Sequence, residues 1–531
     1  VLWTIFEHPT VIDGTGSRPF QTDVAVVDGR IAAIGDLSEH DAHERVDCNG
    51  MALVPGFIDV HSHSDELWLV DGRCEGKVRQ GVTTEIGGNC GTSAAPLMGG
   101  ALTLKRRDAR TYGLDVEWED FDTFFSLVDR AGIAINVASL AGLGTTRRCV
   151  AGDAPRPLEA HESIAQERLV RVAIEQGALG VSSGLIYEPG RHANRAELIA
   201  CATAARDAGA ARYVSHVRDE GDELEAAIAE AIAVGDGAAV AVQCSHHKAS
   251  GKRNWGKVQR TLETIDRART HGAAIACDAY PYVASWTELA TILPSAVRDG
   301  GDEAALERLR DPREALAAAF TMELQRDPAT GGDGWDTILI TDVGSDRNAD
   351  IAGMRLDAIA RRWRTSPARA AIRLLIEEEM RVESAFFSMS EDDVAAVLSA
   401  SFCCIGSDAS ARAYRGITAR GVPHPRTYGT FPRVFGRYVR GRNVMDAVEA
   451  VRRMTSLPAA LFGLHDRGTI AVGGYADLVV LDLDRVVDTA TYERPFAPPV
   501  GIRDVYVNGR AAVRNDALTG ARAGRVLRGG R

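Results

Sequence analysis

The stretch 56-GFIDVHSHSDEL-67 decides how the rest of the chain reads. A short apolar run ends in two histidines one residue apart, His61 and His63, with Asp65 two residues on. In an extended strand residues i and i+2 face the same way, so both imidazoles leave the strand end on one side. Outward from this run the pattern recurs. Strand-like segments 82-VTTEIGGNCG-91, 135-INVASLAG-142, 178-ALGVSSGL-185, 212-RYVSHVRDEG-221, 238-AAVAVQCSHHK-248, 273-AAIACDAYPY-282 and 402-FCCIGSDAS-410 alternate with helical stretches such as 223-ELEAAIAEAIAVG-235. Apolar strands alternating with helices make a parallel sheet covered on both faces. Counting GFIDV there are eight, the number that closes a (β/α)8 TIM-like barrel.

The polar residues gather at the ends of these segments. His61 and His63 are followed by Cys90 in GGNCG, His216 in YVSHVRDEG, His246 in VQCSHHK and Asp408 in IGSDAS. In a barrel of this kind the C-terminal strand ends carry the chemistry, and imidazole, thiolate and carboxylate are the groups that bind zinc. Each residue alone has a plainer reading. Cys90 is a small buried hydrophobe, Asp408 caps the helix after its strand, and only one of His246 and His247 can face inward. Together they are hard to attribute to packing, because each would be a buried polar group in need of a partner.

The ends of the chain differ from its middle. Val24–Val27 and Ile31–Ile34 flank an Asp28-Gly29 turn, and 504-DVYVNGRAAV-513 carries an Asn508-Gly509 turn, both hairpin signals. We expect residues 1–54 and 470–531 to form one β-sandwich. The catalytic barrel then takes 55–284 and 345–469. The charged, irregular stretch 285–344 reads as a small inserted subdomain over the barrel mouth.

Composition excludes several classes. The net charge of −12 comes without a basic tract, which argues against nucleic acid, since neutralising phosphates needs clustered Lys and Arg. No window is apolar enough to span a membrane. The opening VLWTIFEHPT has neither basic flank nor long apolar core, so no signal peptide is expected. Nine scattered cysteines, with Cys403 and Cys404 adjacent, point to reduced thiols in a cytoplasmic protein rather than a disulfide framework.

The segments PGFIDVHSHSD, GNCG, GALGVSSGLIYEPG, YVSHVRDEGDEL, SHHK, DAYPY, GSDA, HPRTYGTFPR and DRGTIAVGGYADLVVLD run nearly from end to end of the chain. In them it resembles the amidohydrolase superfamily, and within it the N-acyl-D-amino-acid deacylases (D-aminoacylases). The resemblance implies a tightly held Zn2+ on Cys90, His216 and His246. It implies a second, weaker metal position at His61, His63 and Asp408, and Tyr187, Lys248, Tyr280 and Arg426 around the substrate. Some positions depart from the family pattern. The loop between GSD and HPR is longer, Leu143 stands where relatives often have histidine, and Trp286 stands near a position that is often serine.

The expected reaction is hydrolysis of the amide of an N-acyl-D-amino acid. Zinc would activate a water and polarise the carbonyl, and Asp408 would carry the proton to the leaving nitrogen. Tyr187 would assist the oxyanion, and Arg426, Lys248 and Tyr280 would hold the α-carboxylate. The segment 281-PYVASWTELATILP-294 offers Trp286, Leu289, Ile292 and Leu293 but no cation. It therefore predicts a preference for neutral, hydrophobic side chains, since an unpaired carboxylate buried there would lose its hydration. The alternative is a cyclic amidase of the same superfamily, of the dihydroorotase or hydantoinase kind. Such enzymes bridge two metals with a carboxylated lysine on a middle strand, where this chain offers none.

Overall fold

A computed structural model describes residues 3–529. Its centre is a barrel of eight parallel strands: β1 (Phe57–Asp59), β2 (Val82–Gly87), β3 (Asn136–Ser139), β4 (Val181–Gly184), β5 (Arg212–His216), β6 (Ala241–Cys244), β7 (Ile275–Ala279) and β8 (Cys403–Ile405). β1, β2 and β3 form one parallel run. Ala141–Gly142 continue β3 and pair with β4, from which the ladder runs unbroken to β8. The ring closes at a seam where β8 meets β1. The closing contacts lie beyond the strands, at the Ser62/Ala409 bridge and an Asp408 N–H donated to the His61 carbonyl at 2.8 Å.

Each strand is shorter than the segment that announces it; His61, His63, Cys90, His246 and Asp408 lie in the loops that follow their strands, whereas His216 is the last residue of β5. The intervening helices pack on the barrel through spaced small and branched residues. Leu224–Ala238 buries Ala227, Ile228, Ala231 and Val234, an i, i+4, i+7 stripe facing the strands. Arg195–Asp207 starts where Asn194 accepts the Glu197 N–H at 3.0 Å, a cap for an otherwise unpaired donor.

The two chain ends pair with each other. Leu478–Leu481 lies antiparallel between Ala52–Pro55 and Ile502–Val507 in a seven-stranded sheet. A four-stranded sheet built from Thr4–Glu7, Asp23–Val27, Arg30–Gly35 and Glu44–Asp47 packs against it. Strand alternation divides the labour: Leu478 and Val480 face the sandwich core, whereas Val479 and Leu481 join the barrel's. Both hairpin turns have the predicted geometry, with positive φ at Asp28, Gly29, Asn508 and Gly509.

Ser285–Glu288, Ile338–Val343 and Val382–Phe386 form a separate antiparallel sheet. Its apolar cluster runs from Leu289 to Val382. We therefore draw the inserted unit as residues 285–386 rather than 285–344. Leu356–Trp363 and Pro367–Glu377 bury their apolar faces in that cluster, and an amphipathic pattern does not say which core it serves. All nine cysteines are unpaired. Among the described residues no helix is long and apolar enough to cross a membrane.

Candidate functional site

Six of the residues singled out by sequence converge at the C-terminal end of the barrel in two donor groups. His61, His63, Cys90 and Asp408 form one; Cys90, His216 and His246 form the other, so the thiol belongs to both. His61 and His63 emerge on one side because Ser62 between them makes the seam bridge and turns its hydroxyl away to Glu85 at 2.8 Å. Asp65 takes no part: it accepts the Gly88 N–H at 3.0 Å and the Ser139 hydroxyl at 3.2 Å.

Three of the six are held in left-handed backbone, Cys90 at φ 51°, His246 at 35° and Asp408 at 50°. Non-glycine residues pay for that conformation and keep it only where the surroundings impose it, as at functional sites. At Cys90 the neighbouring backbone is closely packed. A Cβ on Gly184 would lie 2.1 Å from the Cys90 carbonyl oxygen.

The donor geometry suits zinc. Cys90 Sγ lies 3.5 Å from His246 Nε2 and 3.3 Å from His61 Nε2. Tetrahedral bonds of about 2.3 Å to sulfur and 2.0 Å to nitrogen would separate the two atoms by about 3.5 Å. Both ring nitrogens of His216 are buried without a hydrogen-bond partner, which an interior imidazole rarely tolerates unless something else binds it. Burial opposes ionisation of Cys90, but the imidazoles of His61 and His246 hold its thiol well below the ordinary range. Likewise burial works against the Asp408 carboxylate, and Arg426, His246 and His61 keep it well below its usual value.

Two carboxylates that sequence reading missed orient these rings. Asp278 faces His61 Nδ1 at 3.3 Å and accepts the His246 backbone N–H at 2.8 Å. Glu220 faces His246 Nδ1 at 2.9 Å. A carboxylate on Nδ1 fixes the tautomer and turns Nε2 toward the metal position. Both lie inside quoted motifs, DAYPY and HVRDEG. The available signal was an acidic residue at the same strand ends as the ligands.

Around these groups lie the four substrate candidates. Arg426, almost wholly buried, brings Nη1 to 3.0 Å from Asp408 Oδ2, off hydrogen-bond alignment, and donates Nη2 to the Trp286 carbonyl at 3.3 Å. The longer preceding loop thus does not keep it from the site. Its guanidinium stacks 4.5 Å from the Tyr280 ring, whose hydroxyl is buried without a partner. The Tyr187 hydroxyl meets Thr287 Oγ1 at 2.9 Å, and its ring lies edge-on to His216. Lys248 is already engaged by Glu220 and sits 2.7 Å from His246 Nδ1.

Leu143 sits in the barrel core. Leu289 and Leu293 belong to the core of the inserted unit, with Ile292 packed on it, so they do not build the apolar side-chain wall expected from sequence. Trp286 remains, its ring beside the guanidiniums of Arg412 at 5.1 Å and Arg426 at 5.7 Å.

The amidohydrolase family model matches residues 44–513. An N-acyl-D-glutamate deacylase of Alcaligenes xylosoxydans xylosoxydans is 37% identical over 529 residues, 99% of this chain and 96% of its own. Among solved structures, the N-acyl-D-glutamate deacylase of Bordetella bronchiseptica, complexed with zinc and a phosphonate mimic of the tetrahedral intermediate, has a TM-score of 0.83 at 36% identity, with 99% of each chain covered. A D-aminoacylase with a binuclear metal centre, activated by one metal and attenuated by a second, has a TM-score of 0.83 at 34% identity over 99% of both chains.

Proposed function

The chain belongs to the amidohydrolase family, and from that premise we propose that it is a zinc-dependent deacylase of N-acyl-D-amino acids, releasing a carboxylate and a free D-amino acid. The observation that carries this reading is the thiol of Cys90 shared between two donor groups, beside an aspartate that is itself paired with a buried arginine. Cys90, His216 and His246 would hold zinc tightly, with His61, His63 and Asp408 as a second, weaker position. Zinc held there supplies a Lewis acid for the amide carbonyl and lowers the pKa of a water.

The rest falls to side chains. Asp408, kept ionised by its cationic neighbours, accepts the proton of the attacking water and returns it to the departing nitrogen. Burial, and after it the nearby Cys90, push the Tyr187 phenol well above its ordinary value, so it stays a hydrogen-bond donor to the developing oxyanion. Arg426 and the unpartnered Tyr280 hydroxyl offer donors to the α-carboxylate. Lys248, committed to Glu220, serves that carboxylate less directly. Fixing both the carboxylate and the scissile carbonyl leaves space for the side chain in one hand only.

A neutral side chain fits best, for a reason other than an apolar wall. Arg412, whose guanidinium lies beside the Trp286 ring, has Glu383 at 3.6 Å, and Glu288 is exposed on the same strand as Trp286. A second carboxylate on the substrate would share Arg412 with Glu383 and lie near the carboxylate of Glu288. Assaying N-acetyl-D-leucine, N-acetyl-D-glutamate, N-acetyl-L-leucine and a hydantoin side by side tests the whole reading. Turnover led by the hydantoin would replace it with a cyclic amidase, and N-acetyl-D-glutamate coming out best would overturn the side-chain preference alone.

A further inference from the structure

The barrel seam is where two of the eight strands lack a ladder. β1 and β8 each stand at the edge of their own sheet, yet their ends carry His61, His63 and Asp408. The gap is filled by Lys77, from the short helix Glu75–Val78, whose side chain is wholly buried. Its ammonium donates to Asp59 Oδ2 at 2.6 Å, Ser407 Oγ at 2.8 Å and the Ala409 carbonyl at 2.9 Å, and has Glu85 Oε2 at 3.2 Å. Asp59 in turn uses Oδ1 to accept the Ser407 N–H at 2.8 Å and the His61 N–H at 3.2 Å. The three donors of Lys77 are therefore spent on both sides of the seam, immediately before and after Asp408. Cys90, His216 and His246 follow or end strands laddered on both sides, and His246 is held instead by the Asp278 carboxylate on its N–H.

We propose that Lys77 is a positioning residue that fixes the ends of β1 and β8, and through them sets the affinity of the His61–His63–Asp408 position and the aim of Asp408 at the reacting water. The part concerning Asp408 rests on the deacylase reading; the part concerning metal affinity does not.

Replacing Lys77 alone leaves the buried Asp59 carboxylate without its cation, which costs much stability, whereas Glu85 still accepts from Ser62, Ser64 and Trp68. The test therefore uses the double variant Asp59→Asn/Lys77→Met, with Asp59→Asn alone as the control for the aspartate. Cadmium is titrated into metal-free protein. Thiolate-to-cadmium absorbance reports Cys90, and calorimetry reports the second equivalent. Relative to Asp59→Asn, the double variant should fill the Cys90 site with a Kd within about threefold, bind the second equivalent about 10- to 100-fold more weakly, and lose kcat by a similar factor with KM little changed. If second-equivalent binding and kcat both stay within about twofold of the control, or if the thiolate signal is lost in step with them, Lys77 is ordinary packing and the proposal fails. Second-equivalent binding that weakens in the double variant, with the wild type found inactive on N-acyl-D-amino acids, would uphold the positioning role and place the failure in the deacylase reading.

Discussion

At the scale of single residues, Asp408 is caught between opposite demands. It touches His63 at 3.0 Å and Arg426 at 3.0 Å, and in the proposed reaction must still take a proton from water. Asp408→Asn should keep the fold and the Cys90-site zinc but lose about 10²- to 10⁴-fold in kcat, the range for a positioned acid–base group. Metal content and turnover measured on one preparation check this, and a variant retaining half the wild-type rate would remove the proton-transfer role. The proposed reaction gives Arg426 two tasks, one toward the substrate and one toward Asp408, which it faces at 3.0 Å. Against the opposing effect of burial, it is the strongest influence holding the Asp408 carboxyl down. Without that cation the carboxyl titrates at higher pH, so the base is protonated sooner as pH falls. Arg426→Ala should therefore raise KM for N-acetyl-D-amino acids far more than for the matching amides, and also move the acid limb of the kcat–pH profile upward. Equal KM effects on acids and amides, with an unmoved limb, would show that Arg426 performs neither task.

At the scale of elements, the site depends on close backbone approach between loops that follow different strands. β4 ends at Gly184, where an added Cβ would meet the Cys90 carbonyl oxygen at 2.1 Å. Backbone cannot swing aside as a long side chain can, so Gly184→Ala should displace the cysteine loop and lower zinc content and activity together. Elemental analysis of the purified variant decides it; full zinc occupancy would mean the loop absorbs the methyl without cost. This dependence also marks the limit of what the sequence discloses. The eight strands and the six converging donors were legible, because strand ends bearing His, Cys and Asp need partners that only convergence supplies. Asp278 and Glu220 were not singled out, since their role depends on which nitrogen of a distant ring they face. Lys77 had no local signature at all: its partners Asp59 and Ser407 lie on opposite sides of a seam closed by residues hundreds of positions apart. Leu289 and Leu293 looked like pocket wall because apolarity does not reveal which of two cores claims it.

At the scale of the whole molecule, the inserted unit and the barrel meet beside Tyr187, where charged side chains from both come together. On the barrel side, Glu188 faces His192 at 2.9 Å and Arg191 at 3.2 Å. From the inserted unit, Asp299 approaches Arg191 at 3.3 Å and His192 at 3.6 Å, and Arg298 donates to the Ile186 carbonyl at 3.0 Å. Burial lifts the Glu188 carboxyl to about 7, against the opposing pull of Arg191 and Arg298. An unfolded glutamate titrates near 4.5, so between that pH and about 7 the folded chain holds a proton that the unfolded chain has released. The stabilisation is complete below the lower value and fades as pH rises through the upper one, by an upper limit of about 3 kcal/mol. Glu188→Gln carries no titrating group and should lack this slope. Its melting temperature relative to wild type should therefore rise as pH goes from 5 to 8, reversing the usual expectation that removing an ion-paired carboxylate weakens a protein most at neutral pH. A difference in melting temperature that stays constant across that window, or falls, would mean that the arginines outweigh burial and that Glu188 is ionised throughout.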